Sequence, residues 1–525
     1  MPMEGEERAQ KLVLLQRLGV VALLLAAAFP RAKHLESSFD RGADGERGAA
    51  AALAQLNFER LPDLEDAITA IEIPAGTDRY EGLGDPPWQP LIRYSRSALE
   101  LDHRLEASSF RFLGIKAAEP DAPVEFAVRV PFLMLHILAL FVFWLAIATA
   151  MGGQVALLSL AFLAVMPPAL AYGSLTGTEN FALLFSSLLL GLYARHLQKG
   201  ERWSLGLLAP ASLIAVLGAP ETLALVALLP IHALVAKRVR IGVVAALLMW
   251  TPLAFIYSDY GSTELSSMIN PLPLLEARGD SVFSFLSALL RDASSQFTPI
   301  ALGLAALGIG LRLSRSLNSR WAARLDALEF PKVTARRIEV ALLLVGFGVV
   351  GALISPETGG PRLLLLSPAV AFGIALFLQQ VTRPIAAMRA GIAPLVVIAS
   401  LIAMPCLARF GLFENRVRGG ATPREVGAEI RALELDPDLL CVIPVSVAQG
   451  PALEFYARRT LVPQDYLDRA EAGNYAVERG ILPWRLGVLL RVEAETGAET
   501  GAEFRLQVAG RMTLRKTSEG WEVWW

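Results

Sequence analysis

The sequence predicts a membrane all-α bundle of about 11 transmembrane helices followed by an α/β domain, and three observations predict it. Hydrophobic residues make up 54% of the 525 residues and charged residues only 19%, against roughly 45–50% and about 25% in ordinary soluble chains. The apolar excess is gathered into runs nearly free of charge, the roughly 20-residue length that crosses a ~30 Å hydrocarbon layer as a helix. The last 115 or so residues lose this pattern and alternate short apolar strands with helix-like stretches.

The first apolar run, 12–29, follows a short charged start and leads into Pro30 and Arg31 with no small-residue cleavage site. It reads as an uncleaved first helix. Ten further spans follow at 130–150, 155–172, 181–197, 205–218, 222–236, 241–257, 299–313, 340–354, 363–378 and 391–407. The short pair 205–218 and 222–236, joined at 218–221, reads as a tight hairpin. Between the first two spans lies a long polar loop, 31–129, in which 49–56 and 97–105 have helical composition. After the last span, 423–433 and 452–458 read as helices and 439–444, 486–492 and 504–514 as strands. The segment 516–520 reads as a turn before the closing tryptophans at 521, 524 and 525, which suit either a domain core or a bilayer interface. The expected division is therefore 1–409, membrane domain, and 410–525, external domain.

Sidedness follows from positive charge, because Lys and Arg in short loops stay cytoplasmic. One alternate set of loops holds Arg195, Lys199 and Arg202; Lys237, Arg238 and Arg240; a basic block over 312–337; and Arg383 with Arg389. The other set, 173–180, 218–221 and 355–362, holds Arg362 as its only positive residue. This places the N-terminus in the cytoplasm and puts 31–129 and the C-terminal segment on the external, periplasmic side of the inner (plasma) membrane.

The net charge of −2 and the lack of a basic patch interleaved with aromatics argue against nucleic acid as a partner. Cys406 and Cys441 form neither a disulfide framework nor a metal cluster, and no Ser/His/Asp set or Gly-rich phosphate loop is present. His232, inside a span, suits an interhelical hydrogen bond better than a ligand role. The informative polar residues crowd the external loops: Asp40, Asp44, Glu46 and Asp85 in the first, Glu179 in the second, Glu357 and Arg362 in a late one. A carboxylate at the lip of an apolar bundle can take a proton as general base, and a guanidinium can hold a phosphate through two parallel hydrogen bonds. Spacing alone does not choose among Asp40, Asp44, Glu46 and Asp85.

The order of these features resembles the GT-C membrane glycosyltransferases, nearest to protein O-mannosyltransferases and bacterial aminoarabinose lipid A transferases. Phe39-Asp40 stands where that superfamily carries an early acidic motif, followed by an Ala-rich helix ending at 56–60. Asp85-Pro86-Pro87-Trp88 is similar to its Pro-Pro motif, and Arg129 to the arginine that leads the loop back into the membrane. Residues 165–185, with Pro168, Tyr172 and Glu179, and residues 360–368, with Arg362, resemble two later runs. The sequence departs from the pattern in Arg41 following Asp40, in Glu179 where Asp is usual, in Leu363 where Tyr is usual, and in the length between Arg60 and Asp85.

The resemblance implies an enzyme that transfers a sugar from a polyprenyl-phosphate donor to a lipid, protein or glycan acceptor, with membrane lipids as surroundings. It implies Asp40 as the base, Glu179 as an assisting or orienting acid and Arg362 on the departing phosphate. Asp44, Asp85, Arg129 and Glu357 are the further substrate-binding candidates. No cofactor is demanded, and a divalent metal between Asp40 and Glu179 stays open. Two other classes compete: a transporter or flippase of lipid-linked material, against which the charge-poor spans argue, and a catalytically silent scaffold of the same fold.

Overall fold

The computed structural model describes residues 3–39, 42–60, 101–119, 122–235, 238–259, 282–317, 336–354, 361–387, 404–405, 423–433, 440–443, 451–458, 461–463, 486–494, 504–517 and 520–524. These fall into two compact units. One gathers residues 1–34, 97–99 and 132–416; the other gathers 35–96, 100–131 and 417–525.

The first unit is the helical bundle. Helix α1 is Met3–Ala32, and α4, Val124–Met151, begins in the other unit and continues through this one. It is followed by α5 (Gly153–Val165), α6 (Pro167–Tyr172), α7 (Glu179–Lys199), α8 (Arg202–Gly218), a 3₁₀ turn at Pro220–Thr222, α9 (Leu223–Val235) and α10 (Val239–Asp259). Then come α11 (Val282–Gln296), α12 (Pro299–Leu317), α13 (Arg336–Ile354) and α14 (Leu363–Ala387). Among the described residues two helices, Val124–Met151 and Leu363–Val381, are long and apolar enough to cross a membrane, and a third span is added if the bent pair Leu286–Gln296 and Pro299–Leu311 counts as one. The expected eleventh span, 391–407, lies outside the described residues except Met404 and Pro405.

One of the expected spans is broken and another is joined to a preceding helix at a sharp bend, and a proline stands at each junction. Residues 155–172 do not form one helix. Met166 is extended (φ −62°, ψ 133°), because the ring of Pro167 disfavours helical backbone in the residue before it. Pro167 then opens α6, where its missing N–H costs nothing. The span expected at 299–313 is preceded by α11, which the sequence reading left out, and the two helices meet at 117°. Thr298 caps the second of them, its Oγ1 accepting the Ala301 N–H at 3.2 Å, and Pro299 follows at the first helical position.

Small residues set the closest helix contacts, as they do where apolar helices pack without water. A Cβ at Gly308 on α12 would strike the Gly373 carbonyl of α14 and stand 2.9 Å from the Phe377 nitrogen. Gly373 in turn faces Ala305, whose carbonyl oxygen would be 2.8 Å from an added Cβ. Gly303 and Gly310, on the same helix, have open space. Gly308→Val is therefore expected to cost about 1–3 kcal/mol through overpacking. Gly303→Val should be near neutral. Thermal unfolding of the two variants in detergent checks the contrast, and equal midpoints would refute it.

Where α7 ends, Gly200 takes the left-handed conformation (φ 68°) and its N–H reaches the His196 carbonyl at 2.9 Å. The next residue, Glu201, accepts a 2.6 Å hydrogen bond from Arg195, which holds its carboxyl below its ordinary pKa. Arg195 also lies over the Trp203 ring, 4.8 Å from the centroid.

The second unit contains α2 (Gly42–Arg60) and α3 (Leu101–Leu113) from the first loop, together with α15 (Pro423–Ala432), β1 (Leu440–Ile443), α16 (Pro451–Ala457), β2 (Leu461–Pro463), β3 (Leu486–Ala494), β4 (Phe504–Thr517) and β5 (Gly520–Trp524). Alanine, the best helix former, fills the middle of α2. The strands form one sheet in the order β2-β1-β3-β4-β5. β1 runs parallel to β2 and β3, while β3–β4 and β4–β5 are antiparallel. The parallel β1–β2 pair is joined through α16, as parallel neighbours require a crossover. β2, three residues long, was not expected from the sequence. The β4–β5 pairing runs from Thr513 with Trp524 to Thr517 with Gly520.

Phe39, Ala49, Ala52, Leu56, Phe110, Ala127, Val128 and Phe455 belong to one buried apolar cluster in this unit. Glu59 ties its edge, accepting the Ala117 and Ala118 N–H groups at 2.8 and 2.9 Å.

Candidate functional site

Polar side chains gather at one end of the helical unit, where α1 finishes, α7 and α14 begin, and the 3₁₀ turn joins α8 to α9. The turn into α7 passes through Gly177, whose φ of 138° suits glycine. Thr178 donates its hydroxyl to Glu221 Oε1 at 2.7 Å, and Glu221, in the 3₁₀ turn, is fully buried. Glu179 is the first residue of α7 and also buried. The positive end of a helix dipole favours a carboxylate there. Asn180 donates its amide to the Tyr172 and Leu175 carbonyls at 3.3 and 3.2 Å. Its Oδ1 is thereby left for His136 Nδ1, 2.9 Å away. That arrangement assigns the imidazole proton to Nδ1.

Arg362 stands just before α14, in a turn that places the Leu365 N–H 3.2 Å from its carbonyl. It is 5% exposed. Its guanidinium meets Asp292 of α11 at 2.6 Å, and the Asp292 side chain is 33% exposed. One turn further along α11, Gln296 reaches the Tyr172 hydroxyl at 3.5 Å. Arg362 and Glu179 share this end through their neighbours. A Cβ at Gly351 would be 3.5 Å from both the Glu221 carbonyl and Leu365. Glu221 bonds Thr178, and Thr178 precedes Glu179.

Arg31 fixes the same end structurally. Fully buried, it donates to the carbonyls of Ala27 and Ala164 and twice to Ala169, at 3.0 and 2.7 Å for the latter. Those acceptors include the last turns of α1 and α5, where cations are favoured. Gly173 makes room for it, since a Cβ there would be 2.5 Å from Arg31 Nε.

In the other unit, Arg129 of α4 draws in the chain just ahead of the early acidic motif. It donates to the carbonyls of Leu35 (3.3 Å), Ser37 and Ser38 (3.5 Å). Its guanidinium carbon also sits 5.1 Å from the centre of the Phe39 ring, a cation–π contact.

Of the residues expected from sequence, Arg129, Glu179 and Arg362 are thus described and buried. Asp44 lies in α2, with its side chain outside the description. Asp40, Asp85 and Glu357 lie outside the described residues. Asp292, Glu221 and Arg31 were missed. Glu221 stood in plain view in a four-residue turn, but nothing in its spacing distinguished it from a solvated loop acid. Among the described residues no group of three or more His, Cys, Asp or Glu side chains is placed to hold a metal ion. The described part of the site therefore supplies Glu179 alone of the two acids that a divalent metal would need.

No protein-family model matches the sequence, and no curated protein matches it. Solved structures do match the fold. The Archaeoglobus fulgidus oligosaccharyltransferase tethered by a disulfide to an acceptor peptide with the NVT sequon superposes with a TM-score of 0.54 at 13% identity, over 89% of this chain and 68% of that one. Its apo form gives 0.52 at 14% identity, over 89% and 69%. ArnT from Cupriavidus metallidurans bound to undecaprenyl phosphate is covered over 99% of its length and 96% of this chain, at a TM-score of 0.49 and 13% identity. The chain has the GT-C fold.

Proposed function

We propose that this chain, a GT-C fold by its structural likeness, is a glycosyltransferase that moves a sugar from a polyprenyl-phosphate carrier to an acceptor on the external face of the inner membrane. The observation that carries the reading is the buried Arg362, paired with a partly exposed Asp292 at 2.6 Å, set at one end of an apolar bundle with Glu179 and Glu221. An arginine in otherwise charge-poor turns suits a phosphate at the membrane surface, while the apolar helices suit an isoprenoid tail. The solved oligosaccharyltransferase of the same fold was captured with an acceptor peptide, which supports a transferase over a carrier. About eleven spans, a cytoplasmic N-terminus, and an external domain over 410–525 are parts of the same proposal.

In the proposed step an acceptor nucleophile attacks the anomeric carbon of the donor sugar. A new bond to that carbon forms, and the carbon–oxygen bond to the phosphate breaks with its electron pair leaving on polyprenyl phosphate. Asp40 takes the proton from the nucleophile. Arg362 holds the departing phosphate, where charge builds up and fixed donors are worth most. Glu179 orients the substrate. Arg129, bonded to three backbone carbonyls, holds the first loop's start in place, and Asp44, Asp85 and Glu357 are left to contact substrate. These steps need no metal.

The test uses the full-length chain in liposomes with radiolabelled undecaprenyl-phosphate-linked sugars and a mixture of lipid, peptide and oligosaccharide acceptors. Label moving to an acceptor, with free undecaprenyl phosphate appearing in equal amount, is the expected result. Labelled donor crossing sealed vesicles unchanged would replace the enzyme with a transporter. Donor binding without turnover would leave a silent scaffold.

A further inference from the structure

The geometry points to Tyr456 as a positioning residue, a phenol on the C-terminal segment that fixes the backbone one peptide bond before Asp40. Its hydroxyl accepts the Phe39 N–H at 2.8 Å and donates to Glu125 Oε1 at 2.8 Å. Phe39 and Tyr456 are 417 residues apart in the chain, yet both belong to the same compact unit. The Phe39 ring is 1% exposed and is gripped from several sides. Phe455 meets it edge-on at 5.7 Å between centroids, and Tyr456 at 6.2 Å. Gly48 of α2 lies against it so closely that a Cβ there would be 2.5 Å from the ring. The Arg129 guanidinium covers it as described above.

The short helix that carries Tyr456 is itself seated firmly. A Cβ at Gly427 of α15 would come within 2.5 Å of Tyr456 Cβ. Arg458, just past the helix end, donates to the Ala117 carbonyl at 2.8 Å and lies 4.5 Å from the centre of the Phe455 ring. Packing alone would place the Phe39 ring; it would not fix the Ser38–Phe39 peptide plane, which lies one residue before Asp40. The Tyr456 hydroxyl does that, because a buried N–H deprived of its acceptor is costly and the backbone would turn to find another. Glu125 in turn holds the hydroxyl so that its lone pair faces Phe39. The C-terminal segment thereby sets the aim of the first loop.

This inference rests on Asp40 being the base, and the experiment separates the two. Tyr456→Phe keeps the ring and removes only the hydroxyl. In the full-length protein it is expected to leave the thermal midpoint near wild type and to speed deuterium exchange in the peptide containing residues 35–39. With undecaprenyl-phosphate-linked sugar as the probe, kcat should fall on the order of 10- to 100-fold while the donor KM stays unchanged, as misplacement of a reacting group would produce. Glu125→Gln, which can still accept from the phenol, should retain activity, and Glu125→Ala should behave like Tyr456→Phe. Wild-type exchange in Tyr456→Phe, or wild-type kcat in a background where Asp40→Asn is inactive, would overturn the inference. Wild-type transfer by Asp40→Asn would instead sink the assignment of the base, with the exchange rates still reporting on the clamp.

Discussion

Asp40→Asn is expected to lower sugar transfer by about 10²–10⁴-fold, the range that a positioned general base contributes. Asparagine keeps the size and the hydrogen-bonding reach of the aspartate but cannot accept the proton that the acceptor nucleophile must lose. Binding of undecaprenyl phosphate, followed through tryptophan fluorescence, should be unchanged, so that the loss appears in kcat and not in donor KM. Asp44→Asn is the companion variant, because the motif here reads Asp40-Arg41 with the next acid at Asp44. Inactivity of Asp44→Asn together with wild-type transfer by Asp40→Asn would move the base to Asp44. Wild-type transfer by both would remove this acidic stretch from the chemistry.

The sequence carried the architecture well wherever a single physical rule governed it. Apolar runs marked α4 and α14, the two described helices long and apolar enough to cross a membrane, because burial in hydrocarbon leaves little room for charge. Pro423 and the alternating patterns after residue 439 marked α15, β1, β3 and β4. The rule failed where two signals overlapped. The run 155–172 is apolar throughout, and hydropathy hid the break that Pro167 imposes at Met166. Helix α11 is amphipathic, with Arg291 and Asp292 adjacent in its last turns, so it looked like loop to a search for uncharged spans.

The site was legible in proportion to its chemistry. Arg362 stood out as the one positive residue in the turns 173–180, 218–221 and 355–362, and Glu179 as the one charge in its own. Asp292, which meets Arg362 across 70 positions of sequence, had no such signal. Neither did Tyr456, whose two hydrogen bonds are made to residues more than three hundred positions away. Long-range pairs leave no periodicity, and a single chain holds no record of which residues meet.

Arg362→Lys tests the phosphate role directly, and on the proposed reading transfer should drop on the order of 100-fold. Lysine keeps the charge but loses the planar fork that can grip a phosphate or a carboxylate through two parallel bonds. The ion pair with Asp292 complicates the test, because Arg362→Ala would also leave that carboxylate without its partner at a cost of about 1–3 kcal/mol. A drop in activity from Arg362→Ala alone would thus not distinguish a phosphate ligand from a structural pin. Asp292→Asn resolves the ambiguity. It keeps an oxygen acceptor for the guanidinium while removing the competing charge, so a phosphate-binding Arg362 should bind undecaprenyl phosphate at least as well in this variant. If Arg362 were only a pin, Asp292→Asn and Arg362→Lys would lower the unfolding midpoint together and leave donor binding alone. A double-mutant cycle on donor affinity, with both single variants and the pair, measures which of the two is true. Strong coupling in stability with none in binding would rule out Arg362 as the phosphate ligand.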